Sequence, residues 1–146
     1  MNDAPSQGDA LDAAVRVLRV RDHTAASLDT RLARRGVGVE QRAQTVARLQ
    51  ELGYVDDARF AHARAAALAE RGAGNLLITD DLQRHGVSPE LAEEAIAALE
   101  PEHERAAKIV ARRGVGPKTA RSLASKGFAD DVVEAAVATP DPEALG

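Results

Sequence analysis

The sequence predicts an all-α protein, a tandem array of three three-helix repeats with nine helices, elongated or curved in outline. Three observations point there. Apolar residues recur at helical spacing, as at Leu11, Ala14, Val15 and Leu18, or at Leu91, Ala95, Ile96 and Leu99. Strand formers are sparse. The pattern Leu-x-x-x-Gly-apolar occurs three times, at Leu32 to Val37, Leu82 to Val87 and Leu123 to Phe128.

The physics of the repeated pattern is local. A helix carrying the leucine stops at Gly36, Gly86 or Gly127, which takes a left-handed conformation without a Cβ clash. The apolar residue that follows packs back on the helix end. A new helix starts two or three residues later, most clearly at Ser88-Pro89, with serine as N-cap and proline at the first helical position. Ten residues past each glycine stands an apolar residue, Val46, Ile96 and Val137. One further helix precedes each pattern. The helices are therefore expected at 9–21, 24–35, 39–52, 56–71, 74–85, 89–100, 102–113, 117–126 and 130–138. The units are a flexible N-terminus at 1–8, repeats at 9–53, 54–100 and 101–138, and a flexible Pro-rich acidic tail at 139–146. The glycines are spaced 50 and then 41 residues apart, so the third repeat is the shortest. Units of this size are marginal alone, and stacking them buries more apolar surface.

Composition narrows the function. The 146 residues include no cysteine, which removes thiol catalysis, thiolate zinc sites and disulfides. The first residues lack a basic flank and an apolar run, and no stretch approaches the roughly 20 apolar residues of a membrane span. The expectation is a cytoplasmic protein, monomeric and without cofactor. Net charge is −4 but uneven: residues 1–53 carry +1, 54–100 carry −5 and 101–146 carry 0. Tyr54, Phe60 and Phe128 are the only aromatics, too few for a base-stacking platform.

Catalytic and metal-binding patterns are missing. His23, His62, His85 and His103 fall in different units without i,i+4 pairing, so no metal site is expected. Arg71-Gly72-Ala73-Gly74 has neither a preceding strand nor a following Gly-Lys-Ser/Thr, and reads as a helix stop and turn. The sharpest motif is Gly53-Tyr54-Val55-Asp56-Asp57-Ala58-Arg59-Phe60-Ala61. It reads as structural: Asp56 as N-cap, Asp57 as first-turn charge, and Val55 with Phe60 at hydrophobic-staple spacing.

Basic residues are the binding candidates. Arg105, Lys108 and Arg112 share one face of the seventh helix, with Lys118 and Arg121 on the eighth. Arg16, Arg19, Arg31, Arg34 and Arg35 form a second group near the front. Two clusters flanking an acidic middle suggest an extended charged face.

The chain resembles the regulatory protein RecX family, the modulators of the RecA recombinase. The similarity rests on Leu49-x-x-Leu52-Gly53-Tyr54-Val55-Asp56-Asp57-x-x-Phe60-Ala61, then Arg71-Gly72-x-Gly74, Ile78-x-x-x-Leu82 and Gly86-Val87. Thr24-x-x-x-Leu28-x-x-x-Leu32-x-x-x-Gly36 and Lys126-Gly127-Phe128 extend it over about residues 10–138. It implies tandem three-helix repeats, and a non-enzymatic protein that binds RecA–DNA filaments in the groove. Such a protein inhibits ATP hydrolysis, filament growth and strand exchange, and some members bind DNA weakly. Ser27 stands where the family often has Glu, and Asn75-Leu76-Leu77 where basic residues often follow. These departures weigh against direct DNA contact more than against RecA contact. The runner-up reading is a helical repeat protein that binds nucleic acid directly, and a third is a helical scaffold for another partner.

Overall fold

The computed structural model describes residues 6–138, which form nine α-helices and no strand. They are α1 (Gln7–Val20), α2 (Ala25–Arg34), α3 (Val39–Glu51), α4 (Asp57–Glu70), α5 (Asn75–Arg84), α6 (Pro89–Ala97), α7 (Glu102–Arg113), α8 (Pro117–Ser125) and α9 (Asp130–Val137). The expected tail at 139–146 and residues 1–5 lie outside the described residues.

Each group of three helices makes its own core. Leu28, Leu32, Val46 and Leu49 centre the first, Ile78, Leu82 and Ala95 the second, and Ala106, Leu123, Phe128 and Val133 the third. Within each repeat the third helix packs on both the first and the second. Among the described residues, extensive helix–helix packing stays inside repeats. The repeats meet through helix ends and loops, so the molecule is an array. The third core has five buried residues against nine in each of the others, so it has the least apolar burial to stabilise it.

The repeated glycines do what the pattern requires. Gly36, Gly86 and Gly127 have φ of 84°, 81° and 91°. The amides of Val37, Val87 and Phe128 donate to the carbonyls of Leu32, Leu82 and Leu123 at 3.0–3.1 Å, the long bond of a Schellman cap.

Two ends differ from expectation. Helix α1 starts at Gln7, inside the stretch expected to be flexible. Ser6 and Asp9 form a reciprocal capping box there, which satisfies two end donors. Helix α6 stops at Ala97, three residues early. Its last turn tightens, with the Leu99 amide donating to Ile96, and Pro101 follows closely. The motif at 53–61 is structural, but not as a staple. Val55 is buried in the first core while Phe60 packs on the second, so adjoining residues serve two repeats. Tyr54 is 60% exposed and is held by its backbone, its amide donating to the Leu49 carbonyl at 2.9 Å and its carbonyl accepting from Arg59.

Candidate partner-binding surface

The surface is organised by the two repeat junctions, which share one design. In each, the start of a repeat's second helix rests on the glycine loop of the next repeat. At the first junction, Thr24, the N-cap of α2, donates its hydroxyl to the His85 carbonyl at 2.5 Å. At the second, the amides of Gly74 and Leu76 donate to the carbonyls of Lys126 and Gly127 at 2.8 and 3.0 Å. The approach is tight enough to exclude a side chain: a Cβ on Gly86 would lie 2.4 Å from that of Ala26, and one on Gly127 would lie 2.5 Å from the Leu77 amide.

A carboxylate completes each junction. Asp57, first residue of α4, accepts from the Ala25 amide at 2.8 Å. Glu102, first residue of α7, accepts from the Asn75 amide at 2.5 Å. Both neutralise an otherwise unpaired donor at a helix start, where the dipole also favours negative charge. Asp57 thus caps a helix of the preceding repeat, beyond the first-turn role the sequence suggested. Asp56 caps α4 as expected, accepting from the Arg59 amide at 3.0 Å.

Arg105 is not part of an exposed basic face. It is 9% exposed and bridges the second junction. Its guanidinium donates to the Glu100 and Ala73 carbonyls at 2.8 Å each and to Asn75 Oδ1, and sits 5.9 Å from the Phe128 ring centre. Burial lowers its pKa from the usual arginine value, against the pull of Glu102 and Glu100. A buried arginine with this many acceptors joins the two repeats and is unavailable to a partner. Helical spacing placed it on the same stripe as Lys108 and Arg112. Depth on that stripe is set by Ala73 and Asn75 of the preceding repeat and by Phe128, which the spacing cannot reveal.

The other basic candidates are exposed. Arg16 and Arg19 lie on α1, Arg34 and Arg35 at the end of α2, and Lys118 and Arg121 on α8. Lys108 pairs with Glu100 at 2.8 Å, and exposed pairs of this kind contribute little stability. The structure brings Lys108 and Arg112 to one cleft of about 740 Å³ floored by α4 alanines, Ile109 and Phe128, with Arg105 beneath. Lys118 and Arg121 do not line it.

A second cleft of about 550 Å³ lies at the first junction. Arg21, Arg31, Arg34, Phe60 and His85 line it. It also joins His23 and His85, which chain position alone kept apart. His23 is buried and its Nδ1 lies 2.6 Å from Ser27 Oγ. Burial lowers its pKa first, and the charges of Arg21 and Arg31 lower it further. Arg64 holds Asp81 in two bonds of 2.8 Å, which keeps that carboxyl below its ordinary pKa. His62 and His103 are exposed elsewhere. Among the described residues no three acidic or histidine side chains converge as a metal site, and no helix is long and apolar enough to cross a membrane.

Comparison with known proteins identifies the architecture. A family model described as RecX, second three-helix domain, matches residues 56–96. A regulatory protein RecX of Halorhodospira halophila is 31% identical, with 98% of this chain and 96% of that protein covered. The chain belongs to the RecX family of regulatory proteins. Another RecX, from Chromohalobacter salexigens, is 35% identical over 87% of this chain and 90% of its own length. The crystal structure of RecX from Lactobacillus salivarius superimposes with a TM-score of 0.78 at 18% identity, covering 90% of this chain and 94% of that one. The matching family model describes a three-helix domain, which is the form of the second repeat.

Proposed function

We propose that this chain is a negative regulator of the RecA recombinase, acting in the cytoplasm on DNA repair and recombination. It binds RecA–DNA filaments along their groove and inhibits ATP hydrolysis, filament growth and strand exchange, with no catalysis and no cofactor of its own. The observation that carries this reading is RecX membership over nearly the whole chain. The array supports it physically. Three separately cored repeats joined end to end present a long surface, which can bridge successive protomers of a filament. Exposed cations at both ends, Arg16, Arg19, Arg34 and Arg35 on one side and Lys108, Arg112, Lys118 and Arg121 on the other, are the contacts assigned to the partner.

The test is the DNA-dependent ATPase of the cognate RecA titrated with this protein. Inhibition at substoichiometric or stoichiometric ratios is expected, and unchanged ATPase at every ratio defeats the reading. A gel shift without RecA separates the nucleic-acid reading: a direct binder loses affinity steeply as salt rises.

A further inference from the structure

The two junctions share a feature that holding the repeats together does not require. Arg21, Arg31 and Arg34 converge on the first cleft, and none forms an ion pair among the described residues. The other arginines on its wall are already neutralised, Arg64 by Asp81 and Arg84 by Asp80. Its remaining acidic residue, Asp22, lies 3.9 Å from Arg59. At the second junction, Arg71, Arg112, Arg113 and Lys126 outnumber one carboxylate, Glu70, around a cavity of about 220 Å³ that adjoins the alanine-floored cleft. None of these four forms an ion pair among the described residues; Arg113 donates only to Ser122 Oγ at 3.2 Å.

Unpaired surface arginines alone mean little, since Arg16, Arg19 and Arg35 are equally unpaired on open helix faces. The junction cations differ in two ways. They converge on concave walls, where low-dielectric surroundings focus the field. They also recur at matching places. Arg21 and Arg71 are both the C-cap of the first helix of their repeat. Each cleft also reaches the residue just before the docked glycine, His85 in one and Lys126 in the other. The remaining cations come from different helices, α2 in the first cleft and α7 in the second, so the charge recurs although the residues supplying it do not.

We propose that the two junction clefts are a matched pair of seats for acidic side chains of a protein partner, one seat per junction. Guanidinium forks pair with carboxylates in two parallel bonds, and gathered arginines repel one another until an anion arrives. A polypeptide fits better than a nucleic-acid strand. The second repeat, which lies between the seats in the chain, carries −5, and a continuous polyanion running from seat to seat has to pass it. Separate acidic patches do not. Neither cleft offers a stacking platform: Phe60 is half-buried and engaged with His85 at 5.3 Å, and Phe128 is buried. The inference deepens the regulator reading and rests on it only for the partner's identity. Seats that recur along an array suit a partner that repeats its own acidic feature, as a filament does.

The experiment uses the full chain, labelled with ¹⁵N, and three probes: a hexaglutamate peptide, a twelve-residue oligothymidylate and inorganic phosphate. The Nε–Hε signals of Arg21, Arg31, Arg34, Arg71, Arg112 and Arg113 are expected to shift with the peptide, at concentrations at least tenfold below those needed with phosphate. Arg16, Arg19 and Arg48 should stay in place. Equal shifts at all exposed arginines overturn the proposal, as does oligothymidylate saturating the seats at lower concentration than the peptide. A second measurement uses the double variant Arg31→Gln with Arg34→Gln, checked for unchanged melting. Its inhibition of cognate RecA ATPase should need at least tenfold more protein; inhibition equal to wild type removes the first seat. If the wild-type chain leaves RecA unaffected, the regulator reading fails alone, and the peptide titration still decides the seats.

Discussion

The Arg105 guanidinium donates to the Ala73 carbonyl at 2.8 Å, so a side chain of the third repeat satisfies the backbone of the second. The Ala73 carbonyl lies just before the start of α5, and Arg105 is buried with it. Replacing Arg105 with Gln or Lys leaves acceptors on Ala73, Glu100 or Asn75 unpaired in a buried place. The expected cost is about 2–3 kcal/mol, the scale for hydrogen bonds made by a charged donor. The third repeat has the smallest core, so denaturant unfolding of the variant should show it detaching first. Lys should not rescue, because an ammonium lacks the planar fork that reaches several acceptors together. Wild-type stability in Arg105→Lys contradicts this account.

The three repeat glycines should respond differently to alanine. All have positive φ, so each substitution costs about 1–2 kcal/mol of backbone strain. At Gly36 that is the whole cost, because nothing lies within 4 Å of the added Cβ. At Gly86 the Cβ collides with Ala26, and at Gly127 with the Leu77 backbone. Thermal melting should therefore rank Gly36→Ala well above Gly86→Ala and Gly127→Ala. Equal melting temperatures mean that the close junctions do not form in solution.

The difference between those glycines marks what could be read from the sequence. Leu-x-x-x-Gly-apolar is a local signal, because leucine, glycine and the following apolar residue contact one another within one turn. It fixes the ends of α2, α5 and α8 and one buried leucine in each core. Helix α1 begins before its apolar spacing indicates, because the Ser6–Asp9 capping box lies ahead of Leu11. The junctions join residues 27 to 61 positions apart, such as Asn75 with Glu102 and Thr24 with His85. No periodicity within one helix encodes such pairs. Arg105 shows the consequence: its spacing marked the correct helix stripe, and its burial depended on a neighbouring repeat. Arg21 and Arg71 gain a shared meaning only beside the cations that each junction gathers from other helices.

The first junction should weaken in mild acid. His23 is buried among Thr24, Ser27, His85 and the charges of Arg21, Arg31 and Asp22, and its pKa lies below 6.5. A group whose folded pKa is depressed binds protons more readily when unfolded. Its contribution is therefore fully present above about pH 6.5 and falls as pH drops towards the folded value. Urea unfolding between pH 7.5 and 5.0 should show stability declining over that window, and His23→Gln should flatten the decline. Asp81, held below its ordinary pKa of 3.8 by Arg64, adds a separate loss only at lower pH. A pH profile unchanged by His23→Gln assigns the decline elsewhere.

Asp57 and Glu102 should protect one particular amide each. They accept from Ala25 and Asn75, the first residues of α2 and α5. The corresponding first residue of α8 is Pro117, which has no amide hydrogen. Among the described residues no repeat follows to cap that position, so proline leaves no donor unsatisfied there. A carboxylate therefore stands where a preceding helix needs it, at the start of α4 and α7. Asp57→Ala should cost about 1 kcal/mol, the typical value for losing a cap. Hydrogen exchange should then quicken about fivefold at Ala25, by the same free energy, with Asn75 unchanged. Glu102→Ala should reverse the pattern. Equal acceleration at both amides in either variant means the junctions open as one unit, not separately.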